Sequence, residues 1–246
     1  MSKQSPIFGI DISGWQPADM DMAQAKSEGY EFCVVKATEG PHPDGRTYDN
    51  VYYEKQLQNA RDAGMVVGAY HYLVEADTKT QVDHFLEVVD NVEGLLLQID
   101  YEEYNHYPDL SPRPSTLDTF VAELKARIGS HPILLYSGRG YWYEEPPNGD
   151  VTDPQIVTWD ANYPYAGDPR TGPELYAEVW DWDQAWGERW GGREPMFWQF
   201  SGSTPVAGVK QVDVNAFRGT REQLLALTGV EHTGQQGPYQ QQGPYQ

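Results

Sequence analysis

Eight short apolar runs recur along the chain, and the segments that separate them constrain the fold more than any other feature. The runs are "FGIDIS" (8–13), "FCVVKA" (32–37), "VVGAYHYL" (66–73), "LLLQID" (95–100), "PILLYSG" (132–138), "IVTWDANY" (156–163), "MFWQFSG" (196–202) and "VDVNAF" (212–217). Between the early runs lie helix-like segments that stop on glycine. "DMAQAKSEG" ends at Gly29 and "NVYYEKQLQNARDAG" at Gly64. "TKTQVDHFLEVV" follows, then "PSTLDTFVAELKARIG", which opens with Pro114 and Ser115 and closes on Gly129. Glycine is favoured just past a helix because it takes a positive φ without steric cost. Strands alternating with helices predict βαβ units and a parallel sheet. The first four or five runs are each followed by a helix and the last three are not, which predicts a barrel whose second half has lost its helices. An open doubly wound sheet is the competing architecture. It normally carries a glycine-rich phosphate loop after its first strand, and "SGWQPADM" is no such loop.

The 246 residues suffice for one α/β domain with a substantial core. No apolar stretch approaches the ~20 residues of a membrane-spanning helix. "MSKQSPIFGIDIS" lacks the apolar region of a secretory signal, so the expectation is synthesis in the cytoplasm and release to any outside target by another agent. A formal charge of −20 disfavours nucleic acid and anionic lipid as partners. The same charge predicts that moderate salt will not weaken association with an anionic partner. The single Cys33 lies in an apolar run, where an inert buried thiol is expected. The six histidines show no HExxH and no close pair, and no zinc site is expected.

Residues 164–195 interrupt the pattern and hold four tryptophans, of which Trp182, Trp186 and Trp190 are spaced by four. On a helix that spacing makes one face, which would pack an added helix onto the barrel. A sugar-stacking wall is the alternative. The chain ends in a tandem "QQGPYQ" repeat (235–246), whose composition cannot bury a core and reads as a disordered tail or linker. The expected division is a folded unit over 1–229 and a tail over 230–246.

"LLLQIDYEEY" (95–104) ends an apolar strand in three carboxylates. Side chains alternate along a strand, so Asp100 and Glu102 share one side, and Tyr101 and Glu103 the other. In a parallel barrel the C-terminal strand ends carry the site. Asp11 after "FGI" and Asp213 in the last run would bring four carboxylates from three strands to one cleft. Crowded carboxylates raise one another's pKa, so one keeps a proton while others stay ionised. Glycoside hydrolysis uses that division between a proton donor and charge-stabilising carboxylates. A divalent cation is the rival use, without an EF-hand pattern to support it. Same-face neighbours on a strand lie ~6.6–6.8 Å apart. Their carboxyl groups then reach either ~5–5.5 Å, the retaining spacing, or ~6.5–9.5 Å, the inverting one.

Seven segments in order, "GIDISGWQ", "FCVVKATEG", "NARDAGMVVGAYHYL", "LLLQIDYE", "PILLYSGRGYW", "WDANY" and "FWQFSGSTPVAGVKQVDVNAF", resemble glycoside hydrolase family 25, the Chalaropsis-type muramidases frequent among phage endolysins. The resemblance runs from about residue 8 to about residue 218. It implies a modified TIM-like (β/α)5β3 barrel and cleavage of the β-1,4 bond between N-acetylmuramic acid and N-acetylglucosamine in peptidoglycan. The partner would be the wall glycan, the protein a monomer, and no cofactor is implied. Glu102 would be the general acid. Asp100 would attack the sugar or assist its acetamido group, and Asp11 and Asp213 would polarise and position. Tyr70, Tyr136, Trp159 and Trp198 match the family's cleft aromatics. Three features depart from the pattern: Asp160, expected to add a charge near the cleft, Glu103 beside the acid, and the long segment 164–195.

Overall fold

Each apolar run folds as a strand that turns alternate side chains toward a common axis. The computed structural model describes residues 5–41, 45–104, 107–146, 153–164, 170–179, 186 and 194–230. The strands are β1 (Ile7–Ile12), β2 (Tyr30–Glu39), β3 (Tyr48–Asp49), β4 (Val66–Tyr72), β5 (Leu96–Asp100), β6 (Ile133–Gly138), β7 (Ile156–Ala161), β8 (Phe197–Val206) and β9 (Val209–Phe217). Eight of them run in the order β1-β9-β8-β7-β6-β5-β4-β2, and pairing of β1 with β2 closes the barrel. Neighbours are parallel except β9, which is antiparallel to both β8 and β1. The two-residue β3 pairs with the end of β2.

Helices α1 (Met22–Ser27), α2 (Tyr53–Asp62), α3 (Thr78–Val89) and α4 (Pro114–Ile128) cover the first half. Asp21 and Asp77 cap the starts of α1 and α3 by accepting from the backbone N–H of Gln24 and Thr80, both at 2.8 Å. Gly29, Gly64 and Gly129 all have positive φ, at 104°, 74° and 64°, as expected of chain stops after helices. The second half is poorer in helix but not bare. A six-residue α5 (Arg139–Glu144) follows β6, and α6 (Gly172–Val179) follows β7 within the long segment. A six-residue α7 (Arg221–Ala226) comes after the last strand.

A hairpin supplies part of the missing cover. β8 and β9 meet at Ala207 and Gly208, with φ of 48° and 79°, the two positive values of a type I′ turn that suits twisted strands. Register irregularities along the pair bend it, and Ala207 N donates to the Glu28 carboxylate at the end of α1 at 2.9 Å. Val206 and Val212 thereby join the outer core with Trp198 and Phe200.

Inside the barrel, Phe32, Val66, Leu96, Leu134, Val157, Trp159, Phe197 and Phe217 form a separate apolar plug. Gly9 makes room for it: a Cβ there would sit 2.3 Å from the Phe32 ring. Removing a buried ring of this kind costs about 3–5 kcal/mol in general. Polar residues begin above this plug, toward the C-terminal ends of the strands.

Candidate active site

Asp11 and Asp213 come from the antiparallel junction that closes on β1, where they are direct register partners. Asp100 ends β5, and alternation continues past it. Tyr101 turns outward into the core and donates its backbone N–H to Tyr136 O at 2.9 Å, while Glu103 is exposed. Glu102 therefore faces inward with Asp100, as the strand pattern predicts. The four carboxylates sense one another. Asp11 raises the pKa of Asp100, Glu102 and Asp213, and Glu102 raises those of Asp100 and Asp213.

Asp11 is held from two sides by amides. Gln199 Nε2 donates to its Oδ2 at 2.7 Å and Asn215 Nδ2 to the same oxygen at 2.8 Å. Neither amide is free to flip. Gln199 Oε1 accepts the hydroxyls of Tyr136, at 2.8 Å, and of Tyr163. Asn215 Oδ1 accepts the indole N–H of Trp159 at 3.1 Å. An indole nitrogen only donates, so the Asn215 amide must turn its NH2 to Asp11. Two donors on one oxygen favour the ionised form.

The opposite wall is built differently. Asp100 Oδ1 is buried without a hydrogen-bond partner among the described residues, and Asp100 and Glu102 hydrogen-bond each other. Lys36, whose side chain is 12% exposed, follows Phe32 and Val34 on the inward face of β2. Its ammonium lies 4.8, 5.3 and 6.0 Å from the ring centroids of Tyr72, Tyr48 and Tyr70 and pairs with Glu39. Tyr104 Oη donates to the same Glu39 at 2.5 Å, and Tyr72 Oη to Glu103 O at 2.9 Å, which ties the loop carrying Glu102 to β2 and β4.

Burial is the first cause of every shift in the cluster. It raises Asp11 to about 6, against the lowering by Asn215 and Gln199. It raises Glu102 to about 7, with Lys36 lowering it and Asp11 raising it. Asp100 and Asp213 are pushed well above the usual carboxylate range, again first by burial. Crowding, expected from the sequence to help Glu102 hold a proton, acts here through Asp11 and comes second to burial. Loss of water has the larger effect, and the bond to Asp100 lowers Glu102 rather than raising it.

The expected cleft aromatics separate into two groups. Tyr70 and Tyr136 stand at the carboxylates, and Asp11, Asp100 and Glu102 all raise their pKa, after burial. Trp159 is fully buried in the plug, stacked on Phe197 with ring centroids 4.7 Å apart, and reaches the site only through Asn215. Trp198 is not in the cleft. With Phe197 and Gln199 pointing inward, it points outward and is 0% exposed, packed on Tyr176, Trp186 and Phe200 at 5.8, 5.7 and 5.5 Å.

Asp160 also departs from expectation. It lies on the outer side of β7, and Arg139 donates to its Oδ2 at 2.5 Å, so it adds no charge to the cleft. Trp186 packs on the outer wall, donating to Tyr176 Oη at 3.2 Å beneath the Arg218 guanidinium. Trp182, Trp190 and the QQGPYQ repeats lie outside the described residues. Sequence reasoning missed Gln199, Asn215, Lys36 and Tyr163. Counting by twos from Asp213 finds Asn215, and a lysine two residues past Val34 in an apolar strand marks Lys36. It also missed Gly202, where a Cβ would lie 2.9 Å from Asp213 Oδ1 and 3.6 Å from the Tyr163 ring.

The arrangement offers a carboxyl group that burial pushes up to about 7, a second pushed up less, to about 6, against two amide donors, and two further carboxyl groups beside them. Among the described residues no group of three or more His, Cys, Asp or Glu is placed to hold a metal ion.

Comparison with known proteins adds independent findings. The model of the family described as "Glycosyl hydrolases family 25" matches residues 10–209. "Lysozyme M1" of Streptomyces globisporus is 27% identical over 241 residues, spanning 91% of this chain and 71% of that protein. "N,O-diacetylmuramidase" of Chalaropsis sp. is 27% identical over 193 residues, spanning 71% of this chain and 86% of that protein. Among solved structures, a bacterial lysozyme from Streptomyces coelicolor superposes with a TM-score of 0.70 at 24% identity, covering 92% of this chain and 98% of that one.

Proposed function

From the premise that this chain belongs to glycosyl hydrolases family 25, we propose that it is a muramidase that cuts the β-1,4 bond between N-acetylmuramic acid and N-acetylglucosamine in peptidoglycan. One observation supports the assignment of roles: Asp11 is held by two oriented amide donors, while Glu102 faces inward beside Asp100 where burial pushes its carboxyl up to about 7. Glu102 protonates the glycosidic oxygen as the bond to the leaving sugar breaks. Asp11, kept charged, stabilises the positive charge that develops on the sugar ring. Asp100 either attacks the anomeric carbon or orients the substrate's own acetamido group to do so. Asp213 positions the group opposite, and Tyr70 and Tyr136 frame the ring that reacts. Glu102, having lost its proton, then takes one from the water that completes hydrolysis.

The deciding experiment is mass spectrometry of the muropeptides released from purified walls, with the new reducing sugar identified after borohydride reduction. Reduced muramic acid is expected. Reduced glucosamine, or no new reducing ends, overturns the proposal. Its use in the cell follows the same reading. Residues 1–229 form the catalytic unit of an endolysin-type enzyme, made in the cytoplasm, acting as a monomer on wall glycan once it has passed the membrane. Clearing of Gram-positive cell suspensions is the matching readout.

A further inference from the structure

The described residues expose six large apolar or aromatic side chains: Trp15, Val51, Tyr52, Tyr107, Tyr143 and Tyr163. All six lie on segments that leave the C-terminal end of a barrel strand. Trp15 follows β1, Val51 and Tyr52 follow β2 and its partner β3, Tyr107 follows β5, Tyr143 follows β6 on α5, and Tyr163 follows β7. The opposite end of the barrel has none among the described residues. Scattered exposed apolar residues need no explanation, but a set confined to one face does. That face is the one on which Asp11, Asp100 and Glu102 open.

Three of the six are built into the site's own framework. Trp15 comes four residues after Asp11 and is 91% exposed. Its loop is nevertheless pinned. Gln56 Nε2 donates to the carbonyls of Ser13 and Gln16, at 2.9 and 3.0 Å, and Gln16 Nε2 to Gln211 O at 3.0 Å. A fixed loop thus displays an almost fully exposed indole. Tyr107 stacks on Tyr104, with centroids 5.9 Å apart, and Tyr104 bonds the Glu39 that pairs with Lys36. Tyr163, 44% exposed, bonds the Gln199 that holds Asp11. The rim is therefore continuous with the catalytic floor on three sides.

We propose that Trp15 and Tyr107, with Tyr163 at the inner edge, form a stacking rim for a sugar polymer, holding residues of the glycan strand beyond the two units on each side of the cleaved bond. Flat aromatic faces match the C–H faces of pyranose rings. A chain of charge −20 gains nothing by attraction to an anionic wall, which leaves contacts of this kind to secure the strand. This inference rests on the muramidase reading and adds a consequence to it: the enzyme is selective for long strands, and the aromatics expected from sequence at Trp159 and Trp198 are replaced in that task by exposed ones.

The test compares Trp15→Ala and Tyr107→Ala with wild type on intact peptidoglycan and on a soluble peptidoglycan tetrasaccharide. Each variant should lose about tenfold in kcat/KM on the polymer and less than about twofold on the tetrasaccharide. The tetrasaccharide rate doubles as proof of folding, and Glu87→Ala on the exposed face of α3 is the surface control. Equal losses on both substrates, or none on either, overturn the rim. Should wild type release reducing ends from neither substrate, the muramidase reading fails. The rim is then read by co-sedimentation with insoluble peptidoglycan, where unchanged binding of Trp15→Ala overturns it and reduced binding supports it.

Discussion

On the β1, β8 and β9 side of the mouth, Asp11 takes two amide donors on one oxygen, and each amide is locked by a further partner. On the β5 side, Asp100 leaves an oxygen unpartnered among the described residues and otherwise turns to Glu102, itself a carboxyl group. The residue types are the same and the burial is comparable, yet Asp11 alone has amide donors that lower its pKa against the rise that burial causes. Donors to a carboxyl thus temper a desolvation that raises them all. Lys36 moderates the second wall, lowering both Asp100 and Glu102 from a distance.

The largest test of that contrast is Glu102→Gln. It removes the proton donor, and lytic activity should fall by about 10²–10⁴. The same change should raise stability at pH 8. Glu102 has its folded pKa lifted from 4.5 to about 7. Its contribution to stability is thus complete at low pH and disappears as pH rises through 7. The Tm of the variant should exceed that of wild type at pH 8 and converge with it below pH 4.5. A variant with full activity, or with a lower Tm at pH 8, breaks the assignment.

Smaller, and aimed at the other wall, is loss of an amide donor by Gln199→Met or Asn215→Leu. With wild type active between the Asp11 value of about 6 and the Glu102 value of about 7, these changes should move the acidic limb upward and leave the basic limb in place. One pKa unit, and about a fivefold loss at pH 6, is the expected scale. An unshifted limb in the pH–rate profile would show that Asp11 does not depend on its donors. The smallest effect is that of Lys36→Met. Removing the cation raises Asp100 and Glu102 together, so the optimum should drift to higher pH by less than about one unit, with Lys36→Arg restoring it. A uniform drop at every pH would assign Lys36 to scaffold alone.

The strand order was legible because glycine stops and period-two apolar runs are local signals, and Gly29, Gly64 and Gly129 all adopt the expected positive φ. Placing Asp100 and Glu102 on one side needed only alternation. The cause of their pKa shifts was not legible, since a sequence displays charges but not the water taken away from them. Trp198 was misplaced because it was carried over by resemblance to the family's cleft aromatics, whereas alternation with the inward Phe197 and Gln199 sends it outward. Asp160 was unreadable for another reason. Its partner Arg139 begins a helix 21 residues earlier and is brought near only by the β6–β7 register of Ser137 with Asp160. The eight-residue α6 hid within a stretch whose glycines and prolines argue against any long helix.

The closing strand also completes the site. Asp11 lies in the first strand of the barrel, but its register partner Asp213 and its donor Asn215 come from the last. Until β9 slides between β8 and β1, the barrel is an open sheet and the charged half of the site does not exist. The charged half of the site therefore depends on the one pairing that closes the barrel. Chains stopped before residue 212 should accumulate harmlessly beside finished enzyme.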